Sequence, residues 1–140
     1  MLPINYLAVL VAAVAAFVIG FLMHGPVGGK LWMRLANIHM TGKEKLSDMS
    51  GKMLLNFLVN VVSAYALAVV YLLISTSSFG SGSAIWNGIF AGFLAWFGFL
   101  VTSTSIDVIW MGKSFKLWLF EVCSSFIVML AMGVIIAAFR

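Results

Sequence analysis

Charged side chains are scarce in this chain. Only 9% of its 140 residues are Asp, Glu, Lys or Arg, whereas soluble domains carry about 25%. Hydrophobic residues make up 64%, and the mean hydropathy is +1.15. A water-soluble core of this size could not bury so much Leu, Val, Ala and Phe, so lipid must be the solvent. The composition therefore excludes a soluble domain.

Cysteine is nearly absent as well. The one cysteine, Cys123, can form no intramolecular disulfide, and a thiol beside a carboxylate in lipid is a poor nucleophile. His24, Asp107 and Glu121 lack the close spacing of metal ligands, so we predict no metal and no cofactor. The net charge of +4 lies in short loops, where it indicates topology and not a nucleic-acid partner.

Four apolar segments are long enough to cross a hydrocarbon core about 30 Å thick as helices. The first is expected to be retained, because a signal peptide would need a positively charged start. We predict an all-α integral membrane protein, a single domain over residues 1–140, with four antiparallel transmembrane helices over about 4–24, 53–74, 84–105 and 117–139.

Two features are expected in the first loop. Charged residues alternate with bulky apolar residues here, which predicts a short interfacial amphipathic helix over about 30–39. Capping-box spacing predicts that the helix leading into the second span begins near Thr41. The interfacial anchors of the whole chain should be Lys30, Trp32, Arg34, Trp110, Lys116 and Trp118.

The positive charges are unevenly distributed over the loops. The third loop holds Lys113 and Lys116, the second holds none, and the C-terminus holds Arg140; the first loop holds Lys30, Arg34, Lys43, Lys45 and Lys52. The positive-inside rule then places the first and third loops in the cytoplasm and both termini outside. The expected location is a bacterial cytoplasmic (inner) membrane, crossed several times.

This topology places most polar residues of the spans at one depth, in the cytoplasmic third of the bilayer. Such a layer could bind an ion, a proton or a small polar molecule around Glu121. Alternatively, Glu121 could snorkel or pair with a loop lysine, His24 could be an interfacial donor, and the remaining residues could be interhelical hydrogen-bond glue. The predicted layer consists of His24, Asn56, Asn60, Thr102, Ser103, Glu121, Ser124 and Ser125.

A small-residue surface lies on the third span. Gly88 and Gly92 have the spacing of a close helix contact, and Ala95 can extend it. Glycine lets helix backbones approach each other, so we predict a contact here, within one chain or between subunits.

Several short motifs of glycine, aromatic residues and lysine are spread along the chain. They are Gly20-Phe21-Leu22-Met23-His24-Gly25-Pro26, Gly29-Lys30 with Trp32, Trp96-Phe97-Gly98-Phe99, Gly112-Lys113, Lys116-Leu117-Trp118 and Met132-Gly133. Together they resemble the small bacterial membrane proteins grouped as domain of unknown function 1761. The resemblance covers nearly the whole chain and implies four spans and no assigned activity. This chain departs from the family pattern at two positions, where the pattern more typically looks like Tyr at His24 and like an amide at Glu121. A titratable role at either position therefore cannot be inherited from the resemblance.

Two classes of function remain from the sequence. In the first, the chain is a non-enzymatic, self-associating membrane component that binds lipids or partner helices. In the second, it is a small transporter or channel subunit whose polar layer around Glu121 carries a proton or solute. An enzyme is not expected, because no nucleophile, base and orienting residue occur at usable spacing. The sequence does not specify a small-molecule ligand.

Overall fold

The structure is a computed structural model that describes residues 3–39, 46–80 and 82–139. Throughout these ranges the regular secondary structure is helical, as the sequence predicted. The elements are α1 (Tyr6–His24), α2 (Gly29–Leu35), α3 (Leu46–Thr76), α4 (Ala84–Ala95), a π-helical segment (Trp96–Val101), α5 (Thr102–Trp110) and α6 (Phe115–Ala138).

Within the described residues, four helices are long and apolar enough to cross a membrane, which confirms the predicted class of all-α membrane protein. Two of them are α1 and α6. The others are Met49–Thr76, within α3, and Ala84–Trp110, which joins α4, the π-helical segment and α5. The predicted helix start near Thr41 lies outside the described residues.

The third of these helices continues beyond the boundary expected near Ser105. Ile106, Val108 and Ile109 keep it apolar, and it ends where Gly112 adopts a left-handed φ of 67°. The backbone N–H groups of Met111 and Lys113 both donate to the carbonyl of Asp107 at 3.1 Å. The connection to α6 is therefore short, and Asp107 belongs to α5.

The side chain of Asn5 joins the two ends of the chain. Its Oδ1 accepts hydrogen bonds from the backbone N–H groups of Leu7 and Ala8, which caps α1. Its Nδ2 donates to the carbonyl of Phe139 at 2.8 Å. At the other end of α1, the ring of His24 meets Phe120, near the start of α6. The start of α1 therefore lies beside the end of α6, and the end of α1 lies beside the start of α6.

Small residues form much of the core. Ala12, Ala13, Ala64 and Ala91 are fully buried, and Met132 is the one large side chain of the described residues that is buried to the same degree. α1 packs against α3 and α6, and α4 packs against α6 and α3. Small side chains let helix backbones approach closely, which supports packing where lipid removes the hydrophobic driving force between helices.

Glycines allow the closest approach in the bundle. A Cβ on Gly88 would collide with the carbonyl oxygen of Gly133, and one on Gly92 would lie 2.5 Å from the carbonyl oxygen of Met129. The small-residue surface predicted from the sequence therefore lies between α4 and α6 of the same chain. Ala95 is half-buried and packs against the core.

α2 is shorter than the helix predicted over 30–39. It ends at Leu35, and Asn37 adopts a positive φ of 53°, a conformation that Asn tolerates better than most residues but that no helix continues through.

Candidate functional site

The residues of the predicted polar layer do not meet at one site. Glu121 and the hydroxyl residues near it lie on α5 and α6, where each is engaged locally. His24, Asn56 and Asn60 instead line a groove beside α1, α2 and α3. The two regions have different chemistry.

Glu121 is held by a loop lysine. The Nζ of Lys113 donates to Oε2 of Glu121 at 2.5 Å and lies 3.6 Å from Oδ2 of Asp107. The hydrogen bond to Glu121 raises the pKa of the Lys113 ammonium group above its usual value. Only 23% of the Lys113 side chain and 30% of the Glu121 side chain are exposed. The pair joins the connection after α5 to the first turns of α6.

The hydroxyl residues of the predicted layer are engaged within their own helices and not with Glu121. Ser124 donates to the carbonyl of Phe120 at 2.8 Å, and Thr102 donates to that of Gly98 at 2.7 Å. Ser125 and Ser103 likewise donate to carbonyls three residues earlier. Serine and threonine in a helix reach back to such carbonyls, so their hydroxyls need no partner on another helix.

The His24 groove is a half-open cavity of about 530 Å³ beside α1, α2 and α3. Its polar residues are His24, Asn56 and Asn60, and Asn56 is exposed. Its walls are apolar and sulfur-rich. The remaining lining residues are Ala16, Phe17, Gly20, Phe21, Gly25, Trp32, Met49, Met53 and Val128.

The sequence of α1 and α3 explains why the groove opens where it does. Ala12, Ala13 and Ala64 are fully buried in the core that these helices share. Further toward His24, Phe17 and Phe57 meet edge to face with their ring centroids 6.0 Å apart. Two rings need more room between helix axes than alanine pairs do, so space for a groove begins at this level.

The ring of His24 is fixed by three neighbours. Its Nδ1 lies 3.0 Å from the carbonyl oxygen of Gly20, one turn earlier in α1. Trp32 and Phe120 meet it edge to face, with centroid distances of 5.3 and 5.6 Å. A Cβ on Gly28 would lie 2.9 Å from the Phe120 ring, so the tight turn at this position requires glycine.

The predicted interfacial anchors have different surroundings. Lys30, Arg34 and Lys116 are exposed, and so is Trp110, at 82%. Trp32 packs against His24 and lines the groove, and Nε1 of Trp118 donates to Oγ1 of Thr104 at 3.1 Å.

Pairing of Glu121 with a loop lysine was one of the alternatives left open by the sequence, and the structure identifies that lysine as Lys113. Sequence reasoning missed Trp96, which it named only as part of a family motif. Its Nε1 donates to the carbonyl of Val122 at 2.9 Å, and its ring meets Phe126 at 4.7 Å. No sequence signal separated it from the other tryptophans.

Comparison with known proteins gives one match. A family model described as "Protein of unknown function (DUF1761)" matches residues 7–137. Among curated proteins and among solved structures, nothing matches this chain.

Proposed function

The chain belongs to the DUF1761 family of proteins of unknown function, and from this premise we propose that it is a non-enzymatic membrane protein that binds an amphipathic lipid in the His24 groove. The observation that carries the proposal is the composition of the groove. Three polar side chains lie among aromatic, methionine and alanine residues in a cavity of about 530 Å³. Ligand sites have this size and this combination of apolar walls with few polar groups.

The walls suit an acyl or isoprenoid chain. Phe21, Met49 and Met53 line the half-open groove and are 53%, 42% and 38% exposed. A lipid could therefore enter sideways from the bilayer. Methionine adapts its shape to irregular apolar partners, which favours chains without a fixed conformation.

The chemistry of the lining supports binding and not catalysis. Among the described residues that line the groove, His24 is the one titratable side chain, and Ser, Cys, Asp and Glu are missing from the set. Covalent or acid–base catalysis needs a nucleophile or a second proton-transfer group within hydrogen-bond reach.

The transporter alternative depends on Glu121. A proton- or solute-binding carboxylate has to be free to take up its ligand, whereas the carboxylate of Glu121 is engaged by Lys113 and is not among the residues that line the groove. We therefore propose that Glu121 anchors the start of α6.

The proposal includes the cytoplasmic membrane as location, with α2 at the cytoplasmic interface and both termini outside. Exposed Lys30 and Arg34 beside half-buried Trp32 support this placement of α2. Self-association is also proposed, through a surface other than that of Gly88 and Gly92, because these glycines are buried against α6.

Photo-cross-linking tests lipid binding in the groove. The protein is placed in phosphatidylcholine vesicles that contain, in separate samples, a diazirine-bearing fatty acid, phosphatidylcholine or diacylglycerol. We expect at least one probe to label residues 17–25 and 49–60 in preference to the rest of the lipid-facing surface. Asn56→Phe, which fills the groove, should remove that label.

Val59→Phe is the matched control, because Val59 lies on the same part of α3, is 61% exposed and does not line the groove. Labelling spread evenly over the exposed surface, or insensitive to Asn56→Phe, would refute the proposed site.

A further inference from the structure

The hydrogen bond from Nδ1 of His24 decides what the groove can recognise. A backbone carbonyl oxygen only accepts, so Nδ1, 3.0 Å from the Gly20 oxygen, must carry the proton of the pair. In the neutral imidazole Nε2 then keeps its lone pair and is an acceptor. Because His24 lines the groove, a ligand that reaches Nε2 must bring a hydrogen-bond donor.

The other two polar residues are amides, which can donate and accept. Asn56 and Asn60 are four residues apart on α3, about 6 Å along the helix axis. A hydroxyl group satisfies both kinds of partner at once, because its O–H can donate to Nε2 while its oxygen accepts from an amide N–H. An ether or ester oxygen only accepts and would leave Nε2 without a donor.

The described lining of the groove carries no charged side chain, since none of these residues is Lys, Arg, Asp or Glu. Lys30 and Arg34 are on the side of α2 away from Trp32, since two helical positions correspond to a rotation of about 200°. Among the described lining residues an anionic headgroup would find no counter-charge, which disfavours it.

We infer that the His24 groove selects an uncharged long-chain lipid alcohol, a ligand whose polar end is a free hydroxyl that donates to Nε2 of His24. This inference rests on the proposed function and adds the ligand class to it. The apolar chain lies along the aromatic and methionine walls of the groove, and the hydroxyl lies beside His24.

The test compares two probes that differ only in the donor. Diacylglycerol with a diazirine in one acyl chain and its O-methyl ether are titrated against the protein in phosphatidylcholine vesicles, and labelling of the groove peptides is measured. We expect the alcohol to label at about tenfold lower concentration than the ether, the effect of one net hydrogen bond.

Variants of His24 test whether this residue causes the preference for the alcohol probe. His24→Phe keeps a ring between Trp32 and Phe120 but removes the acceptor, so labelling by the alcohol probe should fall to the level of labelling by the ether. His24→Gln places an amide oxygen near the position of Nε2 and should restore part of the preference. Equal labelling by the two probes in the parent protein, or a preference that survives in His24→Phe, would overturn the inference.

Phosphatidic acid bearing the same diazirine separates the inference from the proposed function. Preferential labelling of the groove by this probe over diacylglycerol would overturn the inferred alcohol and identify an anionic lipid in the same groove. If no probe labels the groove in preference to the lipid-facing surface, the proposed function fails together with the inference.

Discussion

The ammonium group of Lys113 lies 2.5 Å from a carboxylate oxygen of Glu121, and the same nitrogen is 3.6 Å from Asp107. One lysine in a short connection thus joins the end of α5 to the beginning of α6. A carboxylate in the hydrocarbon region is costly when charged, by roughly 2.5–3.5 kcal/mol at the centre of a helix on insertion scales, unless it is partnered or near the interface. The pair explains how a glutamate is accommodated at the start of an apolar helix.

Removing this pair should cost a modest amount of stability. Glu121→Leu should lower the free energy of unfolding by about 1 kcal/mol or less. Lys113 would still have Asp107 as an ion-pair partner, and the side chains of Lys113 and Glu121 are both partly exposed. Glu121→Gln keeps a hydrogen-bond acceptor and should lose less. Thermal unfolding in detergent measures the difference, with Lys116→Met as a control in an exposed lysine of the same region. A variant Glu121→Leu that melts with the parent would show that the pair contributes nothing.

The pair should also give a defined response to alkaline pH. The pKa of Lys113 is raised above its usual 10.5 by the hydrogen bond to Glu121. A raised lysine pKa means that its contribution is complete below about pH 10.5 and is lost as the pH rises through the higher folded-state value. Melting temperatures between pH 8 and 12 should therefore fall more steeply in the parent than in Lys113→Met. Parallel curves would contradict the assignment.

The glycine contact between α4 and α6 makes a sharper stability prediction. Gly88→Ala would push a methyl group against the Gly133 carbonyl and the Cβ of Ala137 and should destabilise by roughly 1–3 kcal/mol. Gly51→Ala, on an exposed turn of α3 with no atom near the added methyl, should be neutral or stabilising. Melting in detergent compares the two. Equal melting would show that α4 and α6 can separate at no cost.

The sequence was sufficient to predict the all-helical class and the four candidate spans, because the relevant signals are local. Apolar runs of sufficient length predict spans, and the spacing of Gly88 and Gly92 marks a close helix surface. Helix ends were less predictable. α5 extends to Trp110 because Gly112 supplies a left-handed turn there, whereas the polar run Thr102-Ser103-Thr104-Ser105 had suggested an earlier end.

The arrangement of polar residues could not be predicted from depth alone. His24, Asn60 and Glu121 were assigned to one layer because their distances from the helix ends are similar. Depth does not specify which way a helix faces, and the sequence left open whether Glu121 belongs to a polar layer or pairs with a loop lysine, as it does with Lys113. The groove depends on how α1, α2 and α3 pack, which involves rings such as Phe17 and Phe57 from distant parts of the chain.

Trp96 should matter more than a surface tryptophan. Its indole N–H donates to the Val122 carbonyl, which also accepts from the hydroxyl of Ser125, and it begins the π-helical segment. Trp96→Phe should cost about 1 kcal/mol, the net value of one hydrogen bond, when unfolding is followed by heat. Trp86→Phe, at a side chain that is 58% exposed, is the matched control and should melt with the parent. The reverse order of melting temperatures would assign Trp96 to lipid contact.

The orientation in the membrane can be tested at two matched serines. Ser83 and Ser114 precede α4 and α6, both are exposed, and neither side chain caps its helix, so cysteine should be tolerated at either position. In a Cys123→Ala background, an impermeant maleimide should label Ser83→Cys in intact cells. Ser114→Cys should react only after the membrane is opened, because Lys113 and Lys116 assign its loop to the cytoplasm. The opposite pattern would invert the topology and place the His24 groove in the outer half of the bilayer, where a ligand would have to enter from the outer leaflet.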